Sequence, residues 1–330
     1  MASNRPIFVV GCPRSGTTLL TLMLHAHSRI AVPPETRFLM RVYRRRAHFG
    51  DLTEVANRRE LARFIVRQRG GTKFRQLGLD RRRVRRRIIR GAPTIGSAIG
   101  TVYRSYADRF GKARWGDKRP TYFRDIDAIR VLFPDAQFVH LIRDGRDCVA
   151  SLKRMPWWKH GSIAAIAMWV HAIDCGRRAA RRLPPDAFYS LHYERLVTDP
   201  RTELTALCGF LGEDFEEQML ESHRMAPQTL PAHQRERWHA NTGKEVSAAA
   251  VGGYAGALDS DELALMEFVA GKRLRDLGYD APEVPPRPNP IALLRYLRAV
   301  SVLRAKTRVL NVRDRRIARL PGSMADQGPI

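Results

Sequence analysis

A chain of 330 residues, 44% of them hydrophobic, can bury a large core without disulfide or metal staples. Its four cysteines, Cys12, Cys148, Cys175 and Cys208, are scattered and form no CxxC pair, which excludes a disulfide scaffold or zinc ribbon. A formal charge of +25 leaves nucleic acid, an anionic membrane or an acidic substrate open as partners, and no 18-residue apolar run predicts a membrane span.

MASNRP leads directly into the first predicted strand, IFVV at 7–10, leaving no room for a signal core; the expectation is a cytoplasmic protein. A loop, GCPRSGTT, and a helix over 17–26 follow, then a strand RIAV at 29–32 and helices over 36–46, 54–68, 95–110 and 121–133. AQFVHLI at 136–142 and AFYSLHY at 187–193 are further strands, with helices over 145–154, 162–182 and 200–211 beside them. This rhythm predicts an α/β, P-loop-type three-layer fold, a central parallel sheet flanked by helices, with ligands bound beyond the strands' carboxyl ends. Residues 44–94 lack a strand pattern, and 41–90 hold seventeen Arg; the stretch is read as a helical excursion, an acceptor-side cap, whose arginine run is mostly a solvated face. A helix over 259–277 completes a domain of residues 1–280. Residues 281–290 are a Pro-rich linker, and the tail to 330 is basic and amphipathic. The tail's apolar face is expected to pack on the domain, with peripheral contact to an anionic membrane as the other reading.

In the first loop Gly11 and Gly16 keep the spacing of a phosphate cradle, but Thr17 stands where a triphosphate-binding loop carries lysine. Arg14 supplies charge, and Ser15, Thr17 and Thr18 offer hydroxyls, a set suited to one anionic group. A second anion site is drawn in FVHLIRDGRDCVAS, where Arg143 ends a strand and Ser151 lies about two turns into the next helix. The competing reading of Arg143 is an ion pair with Asp144 or Asp147.

These islands resemble the sulfotransferases that use 3′-phosphoadenosine 5′-phosphosulfate (PAPS). PRSGTTLLTLMLHAHSRIAVPPETR is similar to the tyrosylprotein sulfotransferase branch in particular. The resemblance implies that Arg14, Ser15, Gly16, Thr17 and Thr18 hold the 5′-phosphosulfate, and that Arg143 and Ser151 hold the 3′-phosphate. It makes Glu35 of the E-T-R segment the base and Arg37 a substrate-positioning residue. Lys118 in WGDKRPTY becomes the stabiliser of charge on the leaving side, although Asp117 replaces the family's Asn. Tyr193 would line the nucleotide site, and Thr242, within 239–256, would belong to a loop closing over it. From the residues alone, Glu35 could merely open a helix, and Lys118 could be a surface partner of Asp117.

The implied reaction is in-line transfer of the sulfuryl group from PAPS to an acceptor hydroxyl, leaving adenosine 3′,5′-bisphosphate, with no metal required. The acceptor could be a sugar, a glycolipid, a small phenol or a peptide tyrosine. A kinase-like phosphotransferase is the alternative, since such enzymes share the cradle. A module binding nucleic acid or another anionic surface is the third reading, although no specific nucleic-acid motif is present.

Overall fold

The computed structural model describes residues 3–67, 74–229, 245–317 and 324–328. Five strands, β1 (Ile7–Gly11), β2 (Ile30–Ala31), β3 (Arg114–Lys118), β4 (Gln137–Ile142) and β5 (Phe188–His192), form one parallel sheet in the order β2-β3-β1-β4-β5. β1 pairs with β4 from Ile7–Gln137 to Gly11–Leu141, placing their carboxyl ends side by side.

Both faces of this sheet are buried, so β1 reads as an unbroken apolar run rather than an alternating one. Ile7 and Val9 face one core, with Leu20 and Leu24 of α1 (Thr17–Ala26). Phe8 and Val10 face the other, which includes residues of α2 (Phe38–Arg44), α3 (Val55–Val66), α4 (Arg81–Arg90) and α5 (Ile95–Arg109). The remaining helices are α6 (Ile126–Leu132), α7 (Gly145–Lys153), α8 (Gly161–Arg182), α9 (Tyr193–Thr198), α10 (Pro200–Leu211), α11 (Ala226–Thr229), α12 (Ser260–Asp276) and α13 (Pro290–Ile317).

β3 has no counterpart among the predicted strands. RWGDK lacks an apolar pattern, yet all five residues are buried because partners distant in sequence satisfy them. Arg114 donates to Leu211 O (2.8 Å), Arg5 O (2.7 Å) and Glu213 (3.1 Å), and also to Gln137. Other differences are at element ends. The strand expected over 29–32 shrinks to two residues, the helix over 36–46 ends at Arg44 before a 3₁₀ turn, and that over 121–133 divides at Asp125.

In the arginine-rich stretch, Asp80 caps α4 by accepting from the backbone of Arg82 (2.6 Å) and Arg83 (3.0 Å). Val84 and Ile88 are its buried anchors. Most arginines of RRRVRRR therefore occupy a solvated helix face. Beyond residue 280 the chain stays on the domain: Tyr296 and Val300 of α13 join the core. Residues 324–328 return across α5, where Thr94 donates to Ala325 O (2.7 Å) and Arg104 pairs with Asp326 at 2.5 Å.

Candidate active site

The chain leaves β1 toward β2 on one side of the sheet, and leaves β4 toward β5 on the other. A crevice is therefore expected beyond the ends of β1 and β4. The first loop and the start of α7 meet there.

In the loop, Ser15 N donates to Cys12 O (3.1 Å), and Arg14 takes φ +75°, the one left-handed non-glycine residue among those described. Such a conformation costs about 1–2 kcal/mol and is held by its surroundings. Gly16 follows at φ +93° and opens α1, a ten-residue helix with no side-chain cap. Its first amides are thus not taken up by a capping side chain, and the helix dipole favours an anion there. Ser15 Oγ is buried without a hydrogen-bond partner. A β-carbon on Gly16 would collide with the Tyr193 ring. Gly16→Ala is expected to destabilise the protein by about 1–3 kcal/mol, as read by thermal unfolding.

The second predicted site is in contact with the first. Arg14 Nε donates to Ser151 Oγ (3.0 Å), and Arg143 Nη1 donates to Arg14 O (3.2 Å). Both guanidinium groups are thus gathered at the junction, where burial first and then Arg143 lower the Arg14 pKa. Arg143 lies over the Tyr193 ring at 4.5 Å. It also pairs with Asp147 (3.2 Å), as the competing reading anticipated, while Asp144 pairs with Arg146 at 2.7 Å. The pairing does not exhaust Arg143, because its buried Nε has no partner. An unpartnered donor here and an unpartnered hydroxyl in the loop fit a ligand with anionic oxygens at two places.

Residues that sequence reasoning passed over hold this junction. Asp147 accepts from the amides of Gly252 and Tyr254, each at 3.0 Å, and Arg143 donates to Ala250 O. Residues 250–254 are thereby tied to Arg143, and Arg146 lies over the Tyr254 ring at 4.4 Å. Glu194 accepts from Asp144 N and from the Tyr279 hydroxyl, both at 2.9 Å. The second Asp of RDGRD was a visible signal; Glu194 and Tyr279 carried none. Thr242 lies outside the described residues.

Glu35 from the segment between β2 and α2, Lys118 from the end of β3 and Thr18 from the start of α1 come together. Lys118 Nζ stands 3.3 Å from Thr18 Oγ1 and 3.5 Å from Glu35 Oε2. The Lys118 side chain is 6% exposed and that of Glu35 30%, so the carboxylate borders solvent and the ammonium does not. Arg37 is exposed at the start of α2. Two histidines between the loop and Glu35 make backbone contacts instead. His25 accepts from Val32 N (3.1 Å), and His27 bridges Arg29 N and Asp214 O, each at 3.0 Å. Burial lowers the pKa of His25 to about 3 and that of His140 to about 4.

Lys118 does not pair with Asp117, which faces the interior. The hydroxyls of Tyr103 (2.6 Å), Tyr122 (2.9 Å) and Thr36 (3.5 Å) donate to its carboxylate, linking β3 to the residue between Glu35 and Arg37. Burial raises the Asp117 pKa to about 6. A raised folded-state pKa favours folding below the ordinary aspartate range, and that advantage is lost as pH rises through about 6. Asp117→Asn is therefore expected to gain stability relative to the parent by about 2 kcal/mol between pH 4 and 7. Paired thermal melts across that range test it, and a difference independent of pH contradicts it.

A family model described as Sulfotransferase family matches residues 6–217. The chain is 27% identical over 285 residues to protein-tyrosine sulfotransferase A of Caenorhabditis elegans, covering 85% of this chain and 68% of the relative. It is 25% identical over 289 residues to protein-tyrosine sulfotransferase of Drosophila melanogaster, covering 85% of this chain but only 52% of that protein. Among solved structures, the fold is similar to the sulfotransferase domain from the Synechococcus PCC 7002 olefin synthase, with a TM-score of 0.59, 23% identity, and coverage of 85% of this chain and 97% of that one.

Proposed function

The chain belongs to the sulfotransferase family, and from that premise we propose that it moves the sulfuryl group of PAPS to an acceptor hydroxyl by in-line displacement. The observation that carries this reading is the meeting of two anion grips beside one acid–base pair. Ser15 Oγ and the uncapped start of α1 lie at one grip and Arg143 with Ser151 at the other, while Glu35 and Lys118 stand beside Thr18.

PAPS supplies a sulfuryl group on a good leaving phosphate. The loop amides, Ser15, Thr17 and Thr18 bind the 5′ end, and Arg143 and Ser151 bind the 3′-phosphate, with the Arg14 side chain at their junction. Glu35 accepts the acceptor's proton as the new S–O bond forms. Lys118 lies where charge grows on the departing phosphate oxygen as the old S–O bond breaks, an effect that acts on the transition state more than on the ground state. Asp117 acts on neither bond; it fixes the backbone around Glu35 through Thr36.

The protein-tyrosine relatives support a hydroxyl acceptor such as a peptide tyrosine. The acceptor side borders α2, where a groove of about 870 Å³ toward α3 is lined by five arginines, Arg41, Arg44, Arg45, Arg63 and Arg67, against one acid, Glu60, with Phe64. This surface supports an acceptor that carries negative charge.

Thermal titration is the first test. Adenosine 3′,5′-bisphosphate at about a hundred times its Kd should stabilise the protein by about 2.7 kcal/mol without magnesium. Stabilisation by Mg-ATP alone would instead favour the kinase-like reading. A screen of acceptors with labelled PAPS then reads the transfer itself.

A further inference from the structure

Helix α13 is apolar on two opposite faces. The inner face, Tyr296, Val300, Leu303 and Thr307, lies on the domain, with Thr307 Oγ1 3.1 Å from His171 Nε2 on α8. At 3.6 residues per turn the opposite side carries Ile291, Leu294, Val302, Val309 and Val312, which are 63, 69, 44, 67 and 52% exposed. Arg295 and Lys306 border this stripe on one edge and Arg308 on the other, with Arg298 rising within it, all of them exposed. No acidic residue occurs on the helix before Asp314. A row of exposed aliphatic side chains about six turns long is not explained by packing among the described residues.

We propose that the outward face of α13 docks on an anionic lipid surface, the helix lying in the headgroup plane with its aliphatic stripe inserted. The stripe contributes apolar burial, while the flanking guanidinium and ammonium groups reach phosphate from long flexible stems. The charge pattern selects this occupant over a second copy of the chain, since two such faces would oppose like charges with no acid on the helix before Asp314. Contact is peripheral, as no helix among the described residues is long and apolar enough to cross a membrane.

The test must separate insertion from the attraction that any protein of charge +25 has for an anionic surface. The full-length protein is floated with phosphatidylglycerol vesicles and with phosphatidylcholine vesicles at about 0.15 M salt, where the Debye length is about 8 Å. Flotation with the first and not the second is expected. The triple variant Leu294→Ser, Val302→Ser and Val309→Ser keeps every charge and is expected to bind the anionic vesicles at least about tenfold more weakly, with an unchanged melting temperature. Arg295→Glu with Lys306→Glu, which leaves the stripe intact, is expected to lose binding as well, and serves as the second arm should the serine variant melt early. Wild-type-like binding by the folded serine variant, or by the charge-reversed variant, would overturn the proposal. So would absence of wild-type flotation, or a wild-type dimer in sedimentation equilibrium that the serine substitutions dissolve.

Discussion

Replacing Glu35 with alanine is expected to cut turnover by about 10²–10⁴-fold, the usual contribution of a positioned general base, while adenosine 3′,5′-bisphosphate binds as before. Geometry separates this from the role of a helix opener. α2 begins at Phe38, and no side chain caps it, so Glu35 does not act as its N-cap. It faces Lys118, which in turn reaches Thr18 at the start of α1. Removing the carboxylate therefore leaves the cradle and the ammonium in place but removes the proton acceptor. A merely structural carboxylate would change stability by a few tenths to about 1 kcal/mol and leave kcat alone. Steady-state kinetics with PAPS, together with calorimetric titration of the product nucleotide, distinguish the two. Normal turnover, or nucleotide binding lost along with activity, would sink the assignment of Glu35 as base.

The second large effect is at Arg143. Arg143→Ala is expected to lower the affinity for adenosine 3′,5′-bisphosphate by at least about tenfold, since each hydrogen bond to a charged group contributes about 1.5–3 kcal/mol. It is also expected to destabilise the protein. Asp147 is buried, and without the guanidinium it keeps, among the described residues, the Gly252 and Tyr254 amides, so a cost of about 3–5 kcal/mol is anticipated for breaking the pair. Arg143→Lys tells the two effects apart. Lysine restores a charge beside Asp147 but not the planar fork with its buried Nε donor, so stability should recover more than nucleotide affinity. Binding by Arg143→Ala equal to the parent would remove this residue from the nucleotide site.

Short motifs were the legible part of the site. The spacing of Gly11 and Gly16, the Thr at position 17, and the strand-ending Arg143 with Ser151 lie within contiguous stretches, so their relation is local and visible. Their contact with one another is not local. Arg14 meets Ser151 because β1 and β4 are neighbours, and strand order is a property of the folded sheet. The alternative of a surface pair between Lys118 and Asp117 fails for the same kind of reason. Beside Lys118 in sequence Asp117 looked like a surface partner, but successive residues of a strand point to opposite faces, and its partners are three hydroxyls from other elements.

By itself the amino-acid sequence determined the α/β class and the doubly covered sheet and marked the residues of the two candidate anion grips, because apolar runs, glycine positions and helix starts act over a few residues. Only the tertiary structure decided that RWGDK is a strand, that Arg143 is shared between Asp147 and residue 250, and that Glu35, Lys118 and Thr18 form one cluster. Those outcomes depend on buried charges finding partners as far as 109 residues away in the chain. The free energy that places such groups comes from desolvation matched by specific hydrogen bonds, which no local pattern encodes.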